Sequence, residues 1–264
     1  MLWGTPRAPL QVDTLAGVSV PMSERASTPS FGLRSTAAAL LRNEGLRGLT
    51  KGVLRFCHTL VKRIAYTGSY YIYRYPIPYV DENRFRPAVG LLEVRTVESV
   101  EDVAQLVADG FEDPRAQARL MECALTAGAF AVCAFVDRQF AYIGWVATSA
   151  NAKRTFDPLP YHVAFDQGEG ATGGAWTVPR FRGLGLYRYV FGRELDLLRR
   201  KGCTVCCNSI TVGNVASQRG QAFYEARVCA RARATRILGF KKWSESPMSG
   251  PCPSLNAAHR PVRS

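Results

Sequence analysis

A short segment, residues 175–187, limits what this chain can fold into more than any other. Residues 175–178 have the composition of a β-strand, and Pro179 ends it because proline cannot donate a hydrogen bond to a neighbouring strand. Gly183 and Gly185 follow, and their lack of a side chain allows a ligand to approach the backbone closely. The segment therefore predicts a strand that leads into a tight turn.

The residues after the turn predict a helix whose first turn can bind an anion. The first N–H groups of a helix have no partner within the helix and carry partial positive charge. Arg180 and Arg182 place two cationic side chains close to them in the sequence. This arrangement is typical of a site for a phosphate or pyrophosphate group. The apolar residues that recur on one face of this helix are Leu184, Tyr187, Phe191, Leu195 and Leu198.

The turn also resembles a known family motif. Arg180-x-x-Gly183-x-Gly185 is similar to the acetyl-CoA pyrophosphate loop of GNAT-type N-acetyltransferases, which reads Gln/Arg-x-x-Gly-x-Gly/Ala. Residues 89–243 predict a strand, a helix capped by Ser99, a second helix from Pro114 to about Leu125, a hairpin and a strand over 161–165. The loop with its helix, a strand, a helix and a final strand follow, and this order of elements resembles the same family. The resemblance implies an α/β (α+β) fold with a GNAT-like mixed, mostly antiparallel central sheet flanked by helices.

The resemblance also implies which residues bind the cofactor. In the family, the strand after the loop helix diverges from the strand before the loop, and the acetyl-CoA thioester lies in the gap. The backbone of two strand residues would contact the pantetheine arm, the loop N–H groups would hold the pyrophosphate beside Arg180, and the start of the segment 213–217 would line the acyl end. The implied cofactor-binding residues are Trp176, Val178, Arg180, Arg182, Gly183, Leu184, Gly185, Leu186, Asn214 and Ser217.

The same resemblance implies a catalytic acid, whereas the base stays open. The family often uses a tyrosine that follows the Asn-x-x-Ser segment to protonate the departing thiolate, and here the candidate is Tyr224. The predicted strand 175–178 carries no carboxylate. Asp166, Glu169 and His162 lie nearby in the sequence, although turn chemistry or a structural role explains each of them. The proton of the amine would otherwise leave through water.

Composition limits the compartment and the partners. The chain has 264 residues and a formal net charge of +13, which favours anionic partners such as CoA phosphates, nucleic acid or an acidic membrane surface. We find no nucleic-acid-binding motif and no continuous apolar stretch long enough to cross a membrane. The eight cysteines lie mostly in apolar runs, as expected of free thiols in the cytoplasm, and Cys203-x-x-Cys206-Cys207 has no second pair at metal-ligand spacing. We therefore expect no metal and no nucleic-acid partner.

The N-terminal part has a different character from residues 89–243. Residues 1–33 are rich in proline and predict disorder, and residues 34–65 predict a basic amphipathic helical arm. Its apolar face either docks on the main domain or lies on an anionic membrane, which would make the protein membrane-peripheral. The tyrosine-rich stretch 66–79 predicts an added strand, with an aromatic stacking platform as the alternative. We assign 34–88 to the arm and its linker, and 244–264 to a flexible tail.

Two functions from different classes follow. The first is transfer of an acetyl group from acetyl-CoA to a small-molecule amine. The arm is similar to that of some bacterial GNAT-like proteins of cell-surface polysaccharide assembly, which implies an amino-sugar acceptor. The second is a non-catalytic CoA-binding or membrane-surface scaffold. The acceptor, the acyl chain length and the oligomeric state do not follow from the sequence.

Overall fold

The computed structural model describes residues 65–251 except 80, 82, 84, 238 and 239. The chain divides into two units, 1–50 and 51–264, and all described residues belong to the second. The expected disorder of 1–33 and the expected basic helix up to residue 64 lie outside the described residues, as does the end of the tail beyond 251.

One mixed sheet of eight strands organises the described residues. Its order is β2-β3-β4-β5-β6-β1-β7-β8, and every neighbouring pair is antiparallel except β5 and β6. The strands are β1 (Ala65–Pro76), β2 (Leu92–Val97), β3 (Phe130–Val136), β4 (Gln139–Ala147), β5 (Glu169–Thr177), β6 (Val205–Thr211), β7 (Arg227–Ile237) and β8 (Phe240–Pro251).

Five α-helices flank this sheet. They are α1 (Val100–Ala108), α2 (Met121–Thr126), α3 (Ala150–Phe156), α4 (Leu186–Arg200) and α5 (Val215–Ala222), with short 3-10 turns at Pro114–Ala116, Phe165–Gln167 and Pro179–Phe181. The expected fold class, a mostly antiparallel mixed sheet flanked by helices, is confirmed. No helix among the described residues has the length and apolar character needed to span a bilayer.

The sheet carries a core on each face. Helix α4 packs on one face, where Val190, Leu195 and Leu198 are fully buried together with Tyr73 and Val146 of the sheet. Helices α1, α2 and α3 cover the other face over β2–β4. Because β3 and β4 are covered on both faces, nearly every residue in them is buried, and their apolar runs are continuous.

Strand β1 is not part of a separate arm. It lies between β6 and β7, with Tyr71 opposite Ile210 on one side and Arg231 on the other. Tyr73 and Tyr75 are fully buried. The tyrosine-rich stretch therefore supplies core side chains of the sheet, and the expected boundary between arm and domain at residue 88 is wrong.

Three other expectations differ from the structure. Residues 161–165 form no strand, because the backbone N–H of Ala164 donates to the carboxylate of Glu169 instead of to a neighbouring strand. The expected helix from Pro114 to Leu125 is broken into a 3-10 turn and α2. Residues 244–251, expected in a flexible tail, belong to β8, which pairs with β7 along its length.

The start of α1 confirms a local prediction. Ser99 caps the helix, since its Oγ accepts from the N–H of Asp102 at 3.1 Å, while the Asp102 carboxylate accepts from the N–H of Ser99 at 3.0 Å.

We expect Ser99→Ala to lower the free energy of unfolding by about 1 kcal/mol, because one N–H group at the helix start loses its acceptor. Chemical denaturation monitored by circular dichroism measures this change. Ser99→Thr keeps the hydroxyl group and serves as the control. An unchanged midpoint in Ser99→Ala would contradict the capping role.

Candidate functional site

The parallel strands β5 and β6 separate after three residue pairs, and this opens a gap in the sheet. Their last pair is Ala171 with Cys207. Strand β5 then continues to Thr177 in contact with β4, whereas β6 continues to Thr211 in contact with β1. Beyond the last pair, the facing backbone edges of β5 and β6 do not bond to one another. An extended ligand with amide groups could bond to both edges in this gap.

Two side-chain contacts lie where the gap begins, one on each face of the sheet. On the face covered by α4, Asn208 Nδ2 donates to Thr172 Oγ1 at 3.2 Å, and the Oδ1 of the buried Asn208 has no hydrogen-bond partner among the described residues. On the opposite face, Ser209 Oγ donates to Asp157 Oδ2 at 2.9 Å. An unpaired buried acceptor of this kind calls for a donor, and the amide N–H of a pantetheine arm is a suitable one.

Strand β5 has a bulge along the gap. Its register against β4 shifts between Ile143 and Trp145, so the stretch around Gly174 contains an extra residue. Gly174 has φ of +57°, and a Cβ atom there would lie 2.7 Å from Cδ1 of Trp145. Such a bulge takes backbone groups out of the ladder with β4, on the strand that lines the gap. The sequence interpretation missed this feature, although the pair Gly173-Gly174 is a signal for it.

The glycine loop adopts the expected turn. Gly183 and Gly185 have φ of +79° and +82°, in the left-handed region where a side chain is strained. A Cβ atom on Gly183 would meet nothing within 4 Å, so the loop surface is open. Val178 and Leu186 are buried and anchor the two ends of the loop.

The start of α4 presents unbonded N–H groups. Gly185 occupies the N-cap position, and no side chain caps the helix. In the described part of the chain, we find no backbone acceptor for the N–H groups of residues 183–188. Backbone donors and the positive end of the helix dipole therefore converge on one open surface, which suits a diphosphate.

The two arginines of the loop have protein partners. Arg180 forms an ion pair with Glu112 at 3.2 Å and stacks on Phe181, with its guanidinium carbon 4.9 Å from the ring centroid. Arg182 donates from Nε to the carbonyl of Thr177 at 3.1 Å. Arg180, Arg182 and the exposed Leu184 all lie on the surface of the turn. The predicted role of Arg180 beside phosphates requires its exposed ion pair with Glu112 to open, and such a pair is weak.

The other predicted cofactor residues lie on either side of the loop. Asn214 caps α5 by accepting from the N–H of Ser217 at 3.1 Å. Helix α5 packs closely on α4, because a Cβ atom on Gly220 would overlap the ring of Tyr187. Trp176 stacks on Phe140 with ring centroids 6.3 Å apart. Helix α5 thus packs on the helix that begins at the glycine loop, while the roles of these residues stay predictions.

Tyr224 is buried beside α4. Its hydroxyl donates to the carbonyl of Arg188 at 2.7 Å, and its ring packs edge-on against Phe191 and Phe85. The side chain therefore fixes the segment after α5 to the first turn of α4. Tyr224 can act as the predicted catalytic acid only if its hydroxyl leaves the carbonyl of Arg188 and bonds to the ligand instead.

The three candidate bases differ in their surroundings. His162 and Asp166 are exposed. Glu169 is buried, forms an ion pair with Arg74 and accepts a hydrogen bond from the N–H of Ala164 at 2.8 Å. Glu169 is thus committed to holding the loop before β5.

The sequence interpretation missed a polar cluster at the gap. Asp157 follows α3 and is buried, and its Oδ2 accepts from Tyr161 at 2.7 Å and from Ser209 at 2.9 Å. Lys153, also buried, donates to the backbone carbonyls of Asp157 and Leu159. The signals for the preceding helix were Ser149, whose Oγ accepts from the N–H of Ala152, and Pro158 after its end.

A second buried carboxyl group lies under α4. Glu194 accepts a hydrogen bond from Tyr142 at 2.8 Å, and burial raises its pKa to about 8. A Cβ atom on Gly144 would overlap Glu194 Oε1, so this glycine leaves the room that the carboxyl group occupies. Glu194 is fully enclosed in the core and takes no part in the gap.

Comparison with known proteins finds structural similarity only at low sequence identity. No protein-family model matches the chain, and no curated protein matches it. A GCN5-related N-acetyltransferase from Sphaerobacter thermophilus is 11% identical with a TM-score of 0.40, over 74% of this chain and 58% of that one. A GCN5-related N-acetyltransferase from Kribbella flavida is 13% identical with a TM-score of 0.32, over 78% and 71%. A tandem GNAT protein from the clavulanic acid biosynthesis pathway is 13% identical with a TM-score of 0.40, over 70% and 54%.

Proposed function

We propose that this protein transfers an acetyl group from acetyl-CoA to an amine, and that the gap between β5 and β6 holds the thioester. The observation that carries the proposal is the position of the open glycine loop. It directly follows β5, one edge of the gap, and it ends in an uncapped helix. A single extended molecule with a diphosphate at one end and amides along its length matches this surface.

Acyl transfer requires mainly that the amine and the thioester are held in contact. A neutral amine attacks the thioester carbonyl once both are held in contact, and donors near the carbonyl oxygen stabilise the developing negative charge. Backbone groups of the bulge around Gly174 can act as such donors. The N–H groups of residues 183–188 would hold the diphosphate. In this proposal, Trp176 and Val178 contribute backbone to the pantetheine arm, while Asn214 and Ser217 line the acyl end.

The acceptor that we propose is an amino sugar of a cell-surface polysaccharide precursor. Such precursors carry phosphate groups, and the net charge of +13 attracts anions to the protein. In this proposal the protein works in the cytoplasm, and residues 34–65 can bring it to an anionic membrane surface. No metal takes part.

Calorimetric titration with acetyl-CoA tests the cofactor site. We expect binding with one site per chain, competition by CoA, and at least about tenfold weaker binding of acetylpantetheine, which lacks the diphosphate. Transfer is then assayed with UDP-glucosamine, glucosamine, spermidine and a lysine-containing peptide. Absence of heat on addition of acetyl-CoA would refute the proposal.

The alternative function is a CoA-binding or membrane-surface scaffold without catalysis. The observation that favours it is that Tyr224, the implied acid, donates its hydroxyl to the carbonyl of Arg188. Acetyl-CoA binding without acetylation of any amine in the panel would support this alternative.

Replacement of Tyr224 distinguishes the two roles of its hydroxyl. If Tyr224 is the acid, Tyr224→Phe lowers kcat about tenfold or more and leaves the Kd for acetyl-CoA unchanged. Steady-state kinetics and calorimetry measure both quantities. A loss of about 1 kcal/mol of stability at unchanged kcat would instead make the bond to Arg188 the whole role of this hydroxyl.

A further inference from the structure

The carboxylate of Asp157 lies where β5 and β6 separate. Ser209, which donates to it, is two residues beyond Cys207, the last residue of β6 that pairs with β5. On the other edge, a Cβ atom on Gly173 would be 3.7 Å from the Cβ of Asp157. Asp157 therefore bonds to β6 and lies beside β5 at the start of the gap, on the sheet face opposite α4.

The carboxylate of Asp157 accepts hydrogen bonds from two hydroxyl groups and one backbone N–H. Oδ2 accepts from Tyr161 and Ser209, and Oδ1 accepts from the N–H of Leu159 at 3.1 Å. The nearby ammonium group of Lys153 directs its hydrogen bonds to backbone carbonyls and lies 3.8 Å from the centroid of the Tyr161 ring. Lys153 thus holds the segment 157–159 in place.

Ser209 connects this carboxylate to the ligand side. Asp157 and Tyr161 are buried, with 6% and 4% of their surface exposed, whereas Ser209 is only partly buried. The Ser209 hydroxyl already donates to Asp157, so its oxygen can accept a hydrogen bond from another donor. An amine that reaches the gap from this face meets Ser209 first.

We propose that Asp157 accepts, through Ser209, the proton of the acceptor amine. This assignment rests on the proposed acyl transfer. The nitrogen forms a bond to the thioester carbonyl carbon and the carbon–sulfur bond breaks. The nitrogen loses one proton to Ser209 Oγ, while the Ser209 hydroxyl proton moves to Asp157 Oδ2. The CoA thiolate takes a proton from solvent or from Tyr224, and Asp157 later returns its proton to solvent.

The titratable groups that face Asp157 do not compete with it as proton acceptors. Burial raises the pKa of Tyr161, of Tyr70 and of the Cys207 thiol, so these groups stay protonated. Burial lowers the pKa of Lys153, whose charge still lies close to Asp157. The charged and titratable neighbours are therefore Lys153, Tyr161, Tyr70 and Cys207.

The test compares Asp157→Asn and Ser209→Ala with Tyr161→Phe as the matched control. Asp157→Asn removes the carboxylate, and the other two variants each remove a hydroxyl group bonded to it, but only Asp157→Asn and Ser209→Ala interrupt the proposed proton route. With the best amine among UDP-glucosamine, glucosamine, spermidine and a lysine peptide, we expect kcat to fall about 100-fold in Asp157→Asn and about tenfold in Ser209→Ala. We expect less than a threefold change in Tyr161→Phe and in every Kd for acetyl-CoA. The rise of kcat with pH that reports the base should disappear in Asp157→Asn.

The outcomes separate the two proposals. If Asp157→Asn and Ser209→Ala keep kcat within threefold and retain the wild-type pH profile, the assignment of Asp157 is overturned while acyl transfer stands. If the wild type accelerates acetylation of no amine in the panel, acyl transfer fails and the assignment falls with it. If Asp157→Asn does not fold by circular dichroism, the kcat and pH profile of Ser209→Ala decide.

Discussion

The double variant Gly183→Asp with Gly185→Asp is expected to bind acetyl-CoA at least about 100-fold more weakly than the wild type. Both glycines have positive φ angles and lie where the loop is open. An aspartate at each position strains the backbone and covers the N–H groups that we assign to the diphosphate. Its negative charge also opposes the phosphates at the end of the helix where an anion is favoured. Calorimetric titration measures the change in Kd.

The chain offers a matched control for this variant. Gly128 and Gly202 have φ of +84° and +85°, and a Cβ atom on either would meet nothing within 4 Å. The double variant Gly128→Asp with Gly202→Asp therefore introduces the same charge and comparable backbone strain away from the loop. It should bind acetyl-CoA as the wild type does. Equal Kd values in the wild type and in the loop variant would exclude this loop as the diphosphate site.

Glu194→Gln is expected to remove a large part of the pH dependence of stability. Burial raises the pKa of Glu194 from its ordinary value of 4.5 to about 8, so the folded protein keeps this carboxyl group protonated at neutral pH. The unfolded chain releases the proton near pH 4.5. The folded state consequently binds more protons between these values, and the free energy of unfolding falls as the pH rises, by at most about 1.4 kcal/mol per pH unit.

The stabilising contribution of Glu194 is thus complete below about pH 4.5 and lost as the pH approaches 8. Between pH 5 and pH 8, we expect the free energy of unfolding of the wild type to fall by about 3 kcal/mol relative to Glu194→Gln. Urea denaturation at several pH values measures the difference. Glu122→Gln, which changes an exposed carboxylate, is the control and should follow the wild type. Parallel curves for the wild type and Glu194→Gln would mean that Glu194 is ionised in the fold.

The local parts of the fold were predictable from the sequence. The glycine loop and α4 follow from proline, two glycines and a helical apolar face, all within one segment. Ser99 and Asp102 specify the start of α1 by their spacing alone. These features depend on neighbours in the sequence, so composition and spacing are sufficient to find them.

The position of β1 and the role of Asp157 were not predictable in the same way. The tyrosines of β1 indicate a strand, but its partners β6 and β7 are more than a hundred residues away, and no local signal specifies them. Asp157 gains its importance only when Ser209 and Gly173 are brought to it by the separation of two strands. A strand was expected at 161–165, which obscured the polar cluster around Tyr161.

The central position of β1 has a consequence for synthesis on the ribosome. Ala65–Pro76 emerges early, yet both of its hydrogen-bonding edges are satisfied only by Val205–Thr211 and Arg227–Ile237. The nascent polypeptide must therefore carry an aromatic-rich, unpaired strand until translation of the domain is nearly finished. Closure of such a long loop is slow, and an exposed strand of this kind is prone to self-association. Chaperone capture during translation would protect it.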